Sequence, residues 1–176
     1  MVRTGGGEMK TIPVKRSVFF MAGWIFLLSF ACPADVYISV EDAIRQIFPS
    51  RQEYKREIHT VGQQEFEAYA VFKNGEVLGW AVVLNEKGKI KPITFLVGID
   101  AQGEVLEVYV IEFRDLFGSE IKRRSFLRQF GGKSLKDDVA IGRDIDAVTQ
   151  ATISSRAAAS AVRKALSLVE KLRNGL

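Results

Sequence analysis

A single histidine, His59, is all that 176 residues supply, and that scarcity removes whole classes of chemistry. Triads built on an imidazole base and metal sites that need several imidazoles have little to work with. Cysteine is equally scarce: Cys32 stands alone, so no intramolecular disulfide can form. No strand is followed by a GxGxxG turn, which leaves a dinucleotide-binding crossover without support. The stretch Gly131-Gly132-Lys133-Ser134 ends like a phosphate loop, but Leu127 stands where the motif needs glycine, and a helical pattern precedes it instead of a strand.

An excess of one charge sign is also lacking once the chain is divided. There are 25 basic and 21 acidic side chains, net +4, which at face value suggests nucleic acid. Arg3, Lys10, Lys15 and Arg16 against Glu8 all lie in residues 1–31, so 21 basic and 20 acidic groups remain beyond them. No nucleic-acid partner is expected from so even a balance.

What the first segment does contain is a basic start, an apolar run from Ser17 to Ala31 and small residues up to Ala34, the three parts of an export signal. Met9 begins a second plausible start, MKTIPVKR. The 18 uncharged residues from Ser17 to Ala34 fall just short of the roughly 20 that a spanning helix needs. Residues 1–34 are therefore read as an export signal or N-terminal membrane anchor, and 35–176 as one domain. Leu28-Ser29-Phe30-Ala31-Cys32 resembles a lipoprotein box in which Leu is one place too early. A lipid anchor at Cys32 and a cysteine of no consequence both stay open.

Beyond the leader, Val40, Ala43, Ile44 and Ile47 recur at helical spacing from Ser39 to Phe48, and Pro49 closes the run. Phe66, Ala68, Ala70 and Phe72 alternate, Asn74-Gly75 follows, and Val77 to Leu84 continues; both turn residues tolerate the positive φ of a hairpin turn. Ile93, Phe95, Val97 and Ile99 alternate, a turn reads at Asp100 to Gly103, and Leu106, Val108 and Val110 alternate again. From Ser119 to Phe130 the period becomes helical, with Ile121, Phe126, Leu127 and Phe130 on one side, until Gly131-Gly132. Ala158, Val162, Ala165, Val169 and Leu172 draw the stripe of a long C-terminal helix. The expected fold is α+β, an antiparallel meander flanked by helices.

Asp144 and Asp146, two apart, would share one side of an extended segment and could hold a divalent cation, with Asp137 or Asp138 nearby. A solvated loop edge is the plainer alternative.

The segment from Asp146 to Val162, DAVTQATISSRAAASAV, is more specific. It resembles the covalent FMN-binding domains of Rnf-type complexes, of the sodium-pumping NADH:quinone oxidoreductase and of free-standing periplasmic flavoproteins. In that family an Asp, two variable residues, Ser or Thr, usually Gly, then Ala-Thr mark the site where a flavin transferase joins the FMN of FAD to the Thr hydroxyl. The resemblance implies Thr152 as acceptor, Asp146 and Thr149 as recognition residues, and Ala151 as the small neighbour. Gln150 stands where glycine is usual; glycine would ease a left-handed backbone there, which a side chain makes harder.

The residues themselves agree with this. Thr152 opens the last helix, where unpaired amides and the dipole favour phosphate, and Thr149, Ser154 and Ser155 add hydroxyls. An N-cap cluster is the alternative for the same residues. The resemblance extends more loosely to Gly98-Ile99-Asp100 with Gly103, and to a loop where many members read Glu-Thr-Pro-Gly-Leu-Gly. Here that loop is Asp115-Leu116-Phe117-Gly118-Ser119-Glu120, and Leu116 and Phe117 are expected to give apolar contact to the flavin ring.

The implied function is an extracytoplasmic electron carrier with one covalent FMN and no substrate of its own. Its implied partners are the transferase and membrane-bound or periplasmic redox proteins. Two rivals stay open: an exported binding or sensing lipoprotein of the same fold without flavin, and a metal-assisted hydrolase using Asp144 and Asp146.

Overall fold

The computed structural model describes residues 35–61 and 64–175. The expected leader and Cys32 lie outside the described residues. Six antiparallel strands form one sheet: β1 (Asp35–Val36), β2 (Glu53–Val61), β3 (Gln64–Lys73), β4 (Glu76–Lys87), β5 (Pro92–Asp100) and β6 (Val105–Phe113). Their order across the sheet is β1-β6-β5-β4-β3-β2, a meander with the short first strand added beside the last. Helix α1 (Val40–Ile47) packs on one face. The middle segment and helix α3 (Thr152–Arg173) pack on the other. This is the α+β architecture expected.

The two faces explain the sequence pattern. Val82, Leu84, Phe95, Val97 and Ile99 point to the α3 side, joined by Ala158, Val162, Ala165 and Val169 of the helical stripe. Ala43 and Ile44 of α1 and Phe48 at its C-cap meet Tyr69, Val71, Ala81 and Leu96 on the opposite side. β5 is consequently buried on both faces from Ile93 to Ile99. Among the described residues no helix is long and apolar enough to cross a membrane.

The hairpin forms as expected, with Asn74 at φ 53° and Gly75 at φ 80°. Three details differ from expectation. Leu106 is 43% exposed while Val105 is buried, because the β5–β6 register shifts between Gly98 and Ile99 and moves the inward side by one residue. The middle helix is three short turns: 3-10 at Ser119–Lys122, helix α2 at Arg124–Leu127, and 3-10 again at Arg128–Phe130. Its apolar set, Ile121, Phe126, Leu127 and Phe130, is buried all the same. Strand β2 is an edge strand with exposed Tyr54 and Ile58 and no apolar alternation to announce it.

Candidate functional site

Three pieces of chain converge at the start of α3. The first is the helix itself, whose first residue is Thr152, exposed to solvent. Its N-cap position is Ala151, whose methyl group offers no acceptor, and no side chain caps the first turn. Backbone N–H groups there have no intrahelical partner by geometry, and the positive end of 22 residues of aligned peptide dipoles coincides with them. No acidic residue lies in the first turn to neutralise that end.

The second piece is the loop Asp115–Gly118. Gly118 has φ 84° and lies so close to the helix that a Cβ there would sit 2.2 Å from Ser154 Oγ. Only glycine allows both that conformation and that approach. Ser154, itself buried, donates from Oγ to the Phe117 carbonyl at 3.5 Å.

The third is the β4–β5 turn, where the Gly88 amide donates to the Lys91 carbonyl at 3.1 Å. Asp115 joins the second piece to the third. Its carboxylate accepts from the Ile90 amide at 3.0 Å and from the Leu116 amide at 2.7 Å. Burial pushes the Asp115 carboxyl up, but the amides of Ile90, Leu116, Lys89 and Phe117 outweigh it and hold the group below the usual carboxylate range.

Between these pieces runs an open cleft of about 250 Å³. Phe117 and Gly118 line it from the loop, and Gln150, Ala151, Thr152 and Ser154 from the helix start. Lys89 and Ile153 complete it. Lys89 Nζ lies 4.2 Å from the centre of the Phe117 ring, within cation–π range.

The residues named from sequence are thus divided. Thr152, Ala151, Gln150, Ser154, Phe117 and Gly118 come together in the cleft. Leu116 is adjacent, 64% exposed and not part of the lining. Asp115 is behind the wall, a carboxylate committed to backbone amides. Thr149 is exposed and outside the lining. Asp146 is exposed too, its backbone clamped in both directions to the Gln129 side chain, at 2.8 Å and 3.3 Å.

Ser155, expected to add a free hydroxyl, corrects that expectation. It is fully buried, accepts from the Val148 amide at 3.1 Å and donates to the Ala151 carbonyl at 3.0 Å. Its role is to fasten the approach segment onto the helix.

Gln150 has φ 65°, the left-handed conformation that glycine would adopt without strain. The chain thus takes at this position a left-handed path although the residue is not glycine. Lys89 and Ile153 were not read from the sequence. Lys89 carried no signal there, since only the Asp115 link brings its turn to α3.

Of the carboxylates proposed for a cation, Asp144, Asp137 and Asp138 are engaged elsewhere. Asp144 accepts from the Val139 and Ala140 amides at 3.0 Å and 2.8 Å and pairs with Lys133 at 3.1 Å. It thereby holds Val139 at φ 43°, a strained value for a β-branched residue. Asp137 accepts from Ser134, and Asp138 pairs with Arg143. Among the described residues no group of three His, Cys, Asp or Glu is placed to hold a metal. His59 on β2 bonds Glu57 at 3.1 Å.

Comparison with known proteins falls on the same region. Residues 88–167 match the family model described as FMN-binding domain. That range starts at the turn glycine beside Asp115 and includes every residue that lines the cleft. A curated relative is a subunit of the Na(+)-translocating ferredoxin:NAD(+) oxidoreductase complex of Acetobacterium woodii, 28% identical over 120 residues. The match covers 62% of this chain and 58% of that protein, so the chain spans little more than half of the relative's length.

Proposed function

We propose, from the premise that residues 88–167 belong to the FMN-binding domain family, that this chain is an extracytoplasmic electron-transfer flavoprotein with one FMN esterified to Thr152. The observation that carries the reading is an exposed hydroxyl at the first position of a long helix whose N-terminus has neither a side-chain cap nor an acid.

The residues of the cleft fit the group. A phosphate on Thr152 Oγ1 lies at the helix N-terminus, where amides and dipole stabilise an anion. Phe117 offers an apolar face and Lys89 a positive charge on the same wall. At about 250 Å³ the cleft is smaller than sites that bury a drug-sized ligand, so burial alone would hold a flavin weakly. A covalent link supplies the retention that enclosure does not, and an incompletely enclosed ring stays within reach of partners.

In the attachment step Thr152 Oγ1 takes the FMN phosphoryl group of FAD. A new P–O bond forms, the pyrophosphate bond breaks, AMP leaves, and the hydroxyl proton passes to the transferase. Bound FMN supplies reversible one- and two-electron chemistry. The chain's own residues anchor the phosphate, shape one wall through Phe117 and Gly118, and place a cation beside it through Lys89. Export by residues 1–34 and membrane-associated redox partners complete the proposal. The relative's place in a ferredoxin:NAD(+) oxidoreductase complex supports partners of that kind.

The test is co-expression with a flavin transferase followed by denaturation and peptide mass analysis. The expected result is a yellow protein whose Thr152 peptide has gained FMN less water. Thr152→Ala should lose the adduct entirely with unfolding unchanged; a colourless, unmodified parent protein would overturn the proposal.

A further inference from the structure

We infer that the rim of the cleft is the face on which a redox partner docks, and that it selects an acidic contact surface around an apolar centre. This rests on Thr152 as the flavin site. Among the described residues ten large apolar side chains are exposed, and four of them, Ile90, Leu116, Phe117 and Ile153, are on the three pieces of chain that meet here. Their exposures are 58%, 64%, 50% and 48%, on segments held in place by Asp115 and Ser154. Apolar side chains kept out in solvent on segments fixed by partly buried hydrogen bonds mark an interaction surface.

Two exposed or cleft-lining cations belong to the same pieces of chain. Lys89 lines the cleft, with its Nζ over the Phe117 ring. Arg156 is exposed four residues after Thr152, on the same face of the helix. Neither cation has an acidic partner among the described residues. Asp115, the acid of the rim, is 7% exposed and bound by amides. Some cations elsewhere in the domain are paired, Lys164 with Glu86, Lys133 with Asp144 and Arg124 with Glu107, and others, Lys73 among them, are as free among the described residues as these two but lie away from the cleft lining. Two free cations flanking an apolar centre beside the electron carrier steer negatively charged partners to it.

The FMN-loaded full chain is reduced and mixed with hexacyanoferrate(III) or hexaammineruthenium(III). Each fully reduced flavin transfers two electrons to two metal complexes and releases its protons to solvent. Rates per flavin are compared for the parent, for Lys89→Glu/Arg156→Glu, and for Lys73→Glu at the end of β3, in strand register with Glu76 at the far end of β4. The double variant should react about tenfold more slowly with the anionic oxidant at low salt and faster with the cationic one. Both differences should vanish near about 1 M salt.

In unflavinylated Thr152→Ala protein, redox-inert hexacyanocobaltate(III) should shift amide resonances at 89–90, 116–117 and 153–156 and leave those around Lys73 in place. Shifts spread over all surface lysines, or equal rate changes in Lys73→Glu, would overturn the inference. Absence of adduct on the parent overturns the reading of Thr152 and this inference with it. Adduct with unchanged rates in the double variant overturns this inference alone.

Discussion

The starts of the two longer helices of this domain, α1 and α3, are built in opposite ways. α1 begins in a closed form: Ser39, at φ −70° and ψ 154°, accepts from the Asp42 amide at 3.0 Å, and Glu41 and Asp42 face the dipole. α3 begins in an open form: Ala151, at φ −122° and ψ 28°, is outside the extended conformation from which a side chain caps, and no acid is present. A helix start with its own cap needs nothing from outside, whereas one without a cap leaves amides for an external anion. The open start is not a loose one, because Gly118, Ser154 and Ser155 hold it from behind.

The sharpest way to break this contrast is Gly118→Ala, which forces a side chain into a left-handed backbone and against Ser154. A loss of about 3 kcal/mol in denaturant unfolding is expected, along with a displaced Phe117. Next comes Asp144, which holds the strained turn leading to α3. The Ala140 amide first, then Lys133 and the Val139 amide, hold its carboxyl down to about 2 against partial desolvation. Because the folded value is below the unfolded one near 3.9, its stabilisation is complete above about pH 4. It disappears as pH falls through about 2. Asp144→Asn should cost about 2 kcal/mol at pH 7 and flatten the acid limb of the stability–pH curve.

Ser155→Ala removes the hydroxyl that satisfies the Val148 amide. A cost of about 1.5 kcal/mol is expected, with faster amide exchange at Val148. The smallest effect tests the closed start: Ser39→Ala should cost about 1 kcal/mol and leave flavin loading unchanged, since α1 lies on the other face of the sheet. Equal sensitivity of loading to Ser39→Ala and to Gly118→Ala would erase the distinction between the two starts.

Much of this was readable without coordinates, and the particular residues show why. Asn74-Gly75 demanded a hairpin because few other pairs accept two positive φ values. The α3 stripe was legible because period and length reinforce each other over six turns. β2 was not, since an edge strand whose Tyr54 and Ile58 face solvent has no inward apolar face to betray it. The outward position of Leu106 escapes the alternation because a register shift changes side-chain parity without any mark in composition.

At the site, Thr152 and its neighbours stood out as a motif in local order. Their sorting did not: Ser154 and Ser155 are adjacent and chemically identical, yet one touches the cleft and the other is fully buried. What the chain alone determined was local, the turn, the helix stripe and the place where the last helix begins, because those depend on spacing within a few residues. Only tertiary structure decided that Lys89 lines the same cleft as Thr152, that Asp115 lies behind the wall, and that Gln150 takes the glycine conformation. Those outcomes depend on pieces of chain tens of residues apart meeting at one carboxylate and one glycine, and no short-range pattern encodes such a meeting.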